Sequence, residues 1–358
     1  MEQTLTSKPK TNLKKTIIQL VIFVGLGIFF IWFSLRSLNK DDIQMILDSI
    51  AAINNPFSWM MIGLAALMVL ISDVIRALRA RLLLKPMHYE VRFSMAFYSV
   101  MVCYLANLAL PRLGEVLRCS FLQRFEGVPF QKSLGTVVTE RAVDVVCWLV
   151  ILFVAIGCNT SLLSNVIVDQ ETQLSLGMWM EQKGLSVIGN YFVYLLIAAI
   201  ALFCLLVYLT RKWWSKFSFC LKIRDFVVGI WQGIISIKDM EKPWQFVLLT
   251  VLLWVVYFLG NYFCFFALPF LREAGAGAAF TVLAFSTIAF MVSQGGLGAY
   301  PLFVAGILVL YGVQYTQGLA AGWIGWIMQT VVVLVVGFLS LVLASFYHKK
   351  KVVETVEE

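Results

Sequence analysis

The sequence predicts an all-α polytopic membrane protein with six full spans and two re-entrant helical hairpins, arranged as an inverted repeat. Three observations lead there. The chain is 61% hydrophobic and 13% charged, with a mean hydropathy of +0.87; soluble domains run about 45–50% apolar and about 25% charged. Several apolar runs reach 18 residues or more, enough to cross hydrocarbon about 30 Å thick. Two further hydrophobic segments, residues 93–124 and 278–311, are each broken in the middle, about 184 residues apart. The first breaks at Pro111-Arg112-Leu113-Gly114-Glu115 and the second at Gln294-Gly295-Gly296-Leu297-Gly298. Broken helices at matching places in two halves of a membrane protein point to a binding site near the midplane.

Residues 1–15 form a basic tail carrying Lys8, Lys10, Lys14 and Lys15. Basic residues before a first span hold that end in the cytoplasm. The first span, 16–35, lacks a small-residue cleavage site, so it is expected to be retained. Residues 41–55 carry Ile43, Ile46, Leu47, Ile50 and Ile53, a helical apolar stripe expected to lie on the outer surface. The second span, 57–75, returns inward to Arg76, Arg79, Arg81 and Lys85. The hairpin 93–124 has basic residues at both ends, Arg92 and Arg124, and so begins and ends inside. The third span occupies 134–157 and closes the first repeat, 16–157.

A polar stretch, 158–190, reads as an external loop. The second repeat, 191–347, follows: a span at 191–209, an amphipathic segment marked by Ile223, Phe226, Val227, Ile230, Trp231 and Ile234, a span at 246–270, the hairpin 278–311, and a span at 319–347. The tail 348–358 begins with His348, Lys349, Lys350 and Lys351, placing the C-terminus in the cytoplasm as well. Each repeat has an odd number of crossings, so the second is inverted relative to the first. Such repeats can exchange roles, which is the structural basis of alternating access.

The formal charge of +8 reflects residues beside spans, and no nucleic-acid motif accompanies it. The seven cysteines sit in or beside apolar segments without CxxC spacing, which fits packing better than a disulfide or metal site. His88 and His348 are the only histidines; no metal, cofactor or catalytic set is expected from the residues. A P-loop is absent too.

The candidate binding residues cluster at the breaks. Arg112, Glu115 and Arg118 recur at a spacing of three on one side of the return helix that starts near Gly114. Arg112 and Arg118 could hold a phosphate by forked hydrogen bonds, aided by the helix N-terminus; equally, the trio could be an internal ion network. Glu140, Arg141 and Asp144 lie in the third span, where burying three ionisable groups demands partners. Arg141 can pair with Asp144 along the helix, and Arg141 with Glu115 or Glu140 with Arg112 across helices. Asp73 with Arg76 reads as an interfacial pair. Gln294, Gly295, Gly296 and Gly298 supply a polar, uncharged break in which glycine permits tight turns and close approach of a ligand. Gly318, Gly322 and Gly325 read as a helix-packing face.

At these residues the chain resembles the membrane region of lysylphosphatidylglycerol synthases, a flippase-like family that also occurs as stand-alone membrane proteins. The resemblance is carried by residues 107–124 (NLALPRLGEVLRCSFLQR), 135–144 (GTVVTERAVD) and 294–301 (QGGLGAYP), and its order extends over most of 16–347. It implies an integral bacterial inner-membrane protein that moves or handles lipids. In two-domain members the membrane half is associated with translocating aminoacylated phosphatidylglycerol made by a separate cytosolic domain. That domain has no counterpart here, so lipid aminoacylation is not expected. Family members often carry proline before the second glycine pair and glutamate a few residues after it; Gln294 and Pro301 stand there instead. The change removes a charge from the second hairpin and weakens the case for a lysyl-lipid. The expected activity is lipid translocation, with a membrane-embedded transferase or a non-catalytic membrane partner as alternatives. Expected partners are a membrane phospholipid or another lipid, and a second copy or a separate lipid-modifying enzyme.

Overall fold

In a computed structural model, residues 40–51, 53–109, 113–159, 167–169, 174–175, 240 and 242–357 are described. The predicted spans 16–35 and 191–209, the amphipathic segment 223–234, and Leu110, Pro111 and Arg112 lie outside these residues. The described chain is helical apart from a small antiparallel ribbon, β1 (Ile167–Asp169) with β2 (Leu174–Ser175), inside the stretch predicted as a loop. The helices are α1 (Lys40–Ala51), α2 (Pro56–Leu84), α3 (Phe93–Ala109), α4 (Leu113–Glu126), α5 (Phe130–Cys158), α6 (Pro243–Ala267), α7 (Gly275–Val292), α8 (Ala299–Val309) and α9 (Tyr315–Glu357).

Their order is a long helix, a broken hairpin and a long helix, twice over: α2, α3–α4, α5, then α6, α7–α8, α9. Five segments are long and apolar enough to cross a membrane: Pro56–Met87, Phe130–Cys158, Pro243–Ala267, Pro269–Val292 and Tyr315–Phe346. Four of them correspond to predicted spans. The fifth is the first arm of the second hairpin together with its 3₁₀ entry, whereas Phe93–Leu108 and Ala299–Val309 are shorter apolar helices.

Local chemistry sets the ends. Asn55 caps α2, its side chain accepting from the Ser58 N–H at 2.9 Å, and Pro56 takes the first turn, where its missing N–H costs nothing. The helix was expected to end at residue 75 but runs on to Leu84, because no glycine or proline interrupts it before Pro86. Arg76, Arg79 and Arg81 are therefore carried within the helix. The predicted span 246–270 ends instead at Ala267, where Pro269 starts a 3₁₀ turn.

The outward faces are apolar. Val247, Val251 and Val255 on α6, and Val331, Val335 and Phe338 on α9, are exposed at helical spacing. An apolar surface of this kind suits hydrocarbon as the surrounding solvent, and the chain is a multi-pass membrane protein.

Each hairpin has its own core. Met95, Val100, Phe121 and Leu122 pack between α3 and α4. Leu271, Val282, Val304 and Leu308 pack around α7 and α8, joined by Ile53 from the stripe that follows α1. Gly318 and Gly322 let α9 lie directly on α8: a Cβ at Gly322 would stand 2.4 Å from the Pro301 Cα, and one at Gly318 2.8 Å from the Ala305 Cα. These two glycines form the packing face expected from the sequence.

Candidate functional site

The first arm of hairpin one meets the second break. Leu108 lies in its last turn, and a Cβ built on Gly295 would lie 3.3 Å from Leu108 Cδ2. Gly295, Gly296 and Gly298 all have positive φ, at 58°, 77° and 70°, a region that L side chains rarely adopt. Trp326 on α9 fixes this turn by donating from Nε1 to the Gly295 carbonyl at 2.8 Å. Gln294 opens the turn as its first residue.

In the first break, α4 starts against α3. The Gly114 N–H donates to Asn107 Oδ1 at 2.8 Å, so a side chain of the incoming arm satisfies a first-turn donor of the return helix. A Cβ on Gly114 would sit 2.1 Å from the Cys103 carbonyl oxygen; only glycine permits this approach. Asn107 Nδ2 also reaches Glu115 Oε1 at 3.5 Å. Sequence reasoning passed over Asn107, although a lone amide in an apolar arm is a signal in itself.

The charged residues form two unlike ion pairs. Arg118 and Glu140 make a closed fork, with Nη1 to Oε2 at 3.0 Å and Nη2 to Oε1 at 2.9 Å, and their side chains are 5% and 4% exposed. Arg118 is thereby engaged by Glu140 of α5, as in the internal ion network that the sequence also allowed for this trio. Glu140 pairs with Arg118, and Arg112, its predicted partner, lies outside the described residues. Arg141 and Glu115 do pair as expected, but through one contact of 3.4 Å, with side chains 41% and 24% exposed. Glu115 Oε2 is buried and has no hydrogen-bond partner among the described residues.

A third group lies one turn further along α5. Asp144 was expected beside Arg141; instead its Oδ1 accepts from Arg79 Nη1 at 2.6 Å and its Oδ2 from Arg76 Nη1 at 3.3 Å. Arg76 also donates from Nε to the Tyr257 hydroxyl at 2.7 Å and faces the Tyr104 and Tyr257 rings. Arg76 thus ties α2 to α5 and α6, and the expected interfacial pairing with Asp73 is replaced by these bonds. The reason is the extension of α2, which carries both arginines into the bundle. Arg79, 1% exposed, rests on the Phe246 ring.

The second hairpin is anchored at its ends. Tyr311 donates to Asn159 Oδ1 at 2.6 Å, and Asn159 Nδ2 donates to Thr281 at 3.0 Å. Trp148 Nε1 donates to the Ala284 carbonyl at 2.8 Å, joining α5 to α7. A small cleft lies elsewhere, lined by Leu82, Lys85, Pro86, Met240, Lys242 and Gln245; it is remote from the breaks.

Comparison with known proteins agrees with this geometry. The model of the family described as Lysylphosphatidylglycerol synthase TM region matches residues 16–337. No curated protein matches the chain. No solved structure matches it either. The family match takes in both breaks and all the buried ion pairs, and the chain belongs to that family of membrane proteins related to lipid handling.

Proposed function

We propose that this protein is a bacterial inner-membrane lipid translocase, moving a phospholipid or related lipid between leaflets past the junction of two re-entrant hairpins. In this reading α3–α4 enters from the cytoplasmic side and α7–α8 from the outside, the halves form an inverted repeat, and both termini are cytoplasmic. The chain acts as a carrier, with no covalent chemistry on the lipid. The observation that carries the reading is the contrast between the two ion pairs at the first break. Arg118 with Glu140 is closed and buried, whereas Arg141 with Glu115 is long and open, and the arm that precedes this break packs its Leu108 side chain against the Gly295 turn of the second hairpin.

A headgroup phosphate would take Arg141, together with Arg112 at the neighbouring break, by charge-assisted hydrogen bonds. Glu115 Oε2, buried without a donor, would accept from a headgroup hydroxyl or ammonium. The turn at Gly295, Gly296 and Gly298, following Gln294, would let the headgroup approach the backbone. Glu140 and Asp144 would hold the surrounding arginines in place.

The test is headgroup protection in proteoliposomes with a fluorescent anionic phospholipid and a membrane-impermeant quencher. Wild-type protein should expose both leaflets to the quencher, while Arg112→Ala and Glu115→Ala should protect the inner one. Normal movement by both folded variants would remove this site. Recovery of a covalently altered lipid would favour a transferase, and movement only with a co-purifying subunit would favour a partner role.

A further inference from the structure

We propose that Asp73 is a proton-binding site that couples lipid movement to a transmembrane proton gradient. The inference rests on the translocase reading and adds its source of energy. Asp73 lies on α2, 17 residues from its start at Pro56, so about 25 Å along the helix at 1.5 Å per residue. It is 3% exposed, and its Oδ2 has no hydrogen-bond partner among the described residues. The other carboxylates of the cluster all have arginine: Glu115 with Arg141, Glu140 with Arg118, and Asp144 with Arg76 and Arg79. An ionisable side chain held inside a membrane bundle with no partner for one oxygen is costly unless it has work to do, and proton relays are built from such groups.

The groups around Asp73 supply a mechanism. On its own helix stands Arg76; from α3 comes Tyr104 and from α6 Tyr257, both within electrostatic reach. From α5 come Asp144, joined to Arg76, and Arg141 near Tyr104. The last neighbour among the described helices, α9, has no titratable side chain between Tyr315 and Tyr347. Hydronium from the water on one side would give a proton to Oδ2, forming one O–H bond and taking the site from −1 to 0. Water on the other side would receive that proton, so that one proton crosses per cycle. With the proton on, Arg76 is left to Tyr257 and Asp144, the arrangement seen. With the proton off, Asp73 competes for Arg76 and loosens its bonds to α5 and α6. The α2–α6 seam is the most extensive helix contact among the described residues and joins the two halves of the chain. A proton there acts where the halves must shift against each other.

The test uses the full chain in proteoliposomes under an imposed pH gradient, with a fluorescent anionic phospholipid as probe, together with infrared spectra of the purified protein across pH. For wild type, reversing the gradient should change the initial rate of lipid movement by about fivefold or more, the scale of ordinary coupling between sites, and a buried carboxylic acid C=O band should titrate. Asp73→Asn should still move lipid, at one rate under either gradient, and should lack that band; Asp73→Glu should restore the response. Wild-type movement that ignores the gradient would overturn the coupling and leave the translocase reading in place. An identical infrared band in Asp73→Asn would overturn the proton site itself. Absence of lipid movement with the Asp73 band present would overturn the translocase reading, and the coupling with it.

Discussion

Replacing Glu140 by alanine removes both acceptors of the Arg118 fork. Arg118 Nε already has no partner among the described residues, so all three guanidinium nitrogens would then lack one there, in a site where the side chain is 5% exposed. Removing one partner of such a buried pair costs about 3–5 kcal/mol, a large part of a typical stability of about 5–15 kcal/mol. The cost belongs to the stranded charge more than to the bond. The double replacement Arg118→Met with Glu140→Met should therefore recover most of it, since well-packed apolar residues replace buried ion pairs at little or no loss. Equilibrium unfolding in mixed micelles, run as a double-mutant cycle, separates these terms. A loss below about 1 kcal/mol for Glu140→Ala, the range of a solvent-exposed pair, would refute the reasoning.

The remaining predictions concern packing and the second break. Gly322→Ala should destabilise by at least about 1–3 kcal/mol, because its Cβ must push α9 away from the Pro301 Cα now 2.4 Å from that position; unfolding midpoints would show it. Trp326→Phe should cost about 0.5–1.5 kcal/mol by freeing the Gly295 carbonyl, and hydrogen exchange at residues 295–298 should rise. Arg141→Ala should cost less in stability than the loss of about 3–5 kcal/mol expected for Glu140→Ala, since its one contact to Glu115 is long and its own side chain is 41% exposed.

Much of the architecture is legible in the sequence, for identifiable reasons. Pro111 and Gly114, and the run Gln294-Gly295-Gly296-Leu297-Gly298, mark the breaks because proline and glycine act on the backbone directly. Gly318 and Gly322 announce close packing because a missing side chain needs no partner to be recognised. The pairing of charges is harder to read. Spacing along α4 tells that Glu115 and Arg118 share a side, but the rotation of α4 against α5 decides that Arg118 meets Glu140 while Glu115 meets Arg141. Hydropathy also falls before a helix ends. Arg76 closes the apolar window of α2, yet the helix continues to Leu84 and takes Arg76 and Arg79 to Asp144. Tyr104, Tyr257 and Asn107 pass unnoticed because one polar group in an apolar helix is ambiguous until its neighbour is known. The ribbon of β1 and β2 is too short to leave an alternation in the sequence.

The most direct test of the central claim compares the two ion pairs by function and not by stability. Inner-leaflet headgroup protection would be measured in proteoliposomes bearing wild type, Arg141→Ala, or the double replacement of Arg118 and Glu140 by methionine. Arg141→Ala, though folded, should stop lipid movement, while the double replacement should keep it. Full movement by Arg141→Ala, or its loss only when the buried Arg118–Glu140 pair is removed, would rule out the open pair as the lipid site.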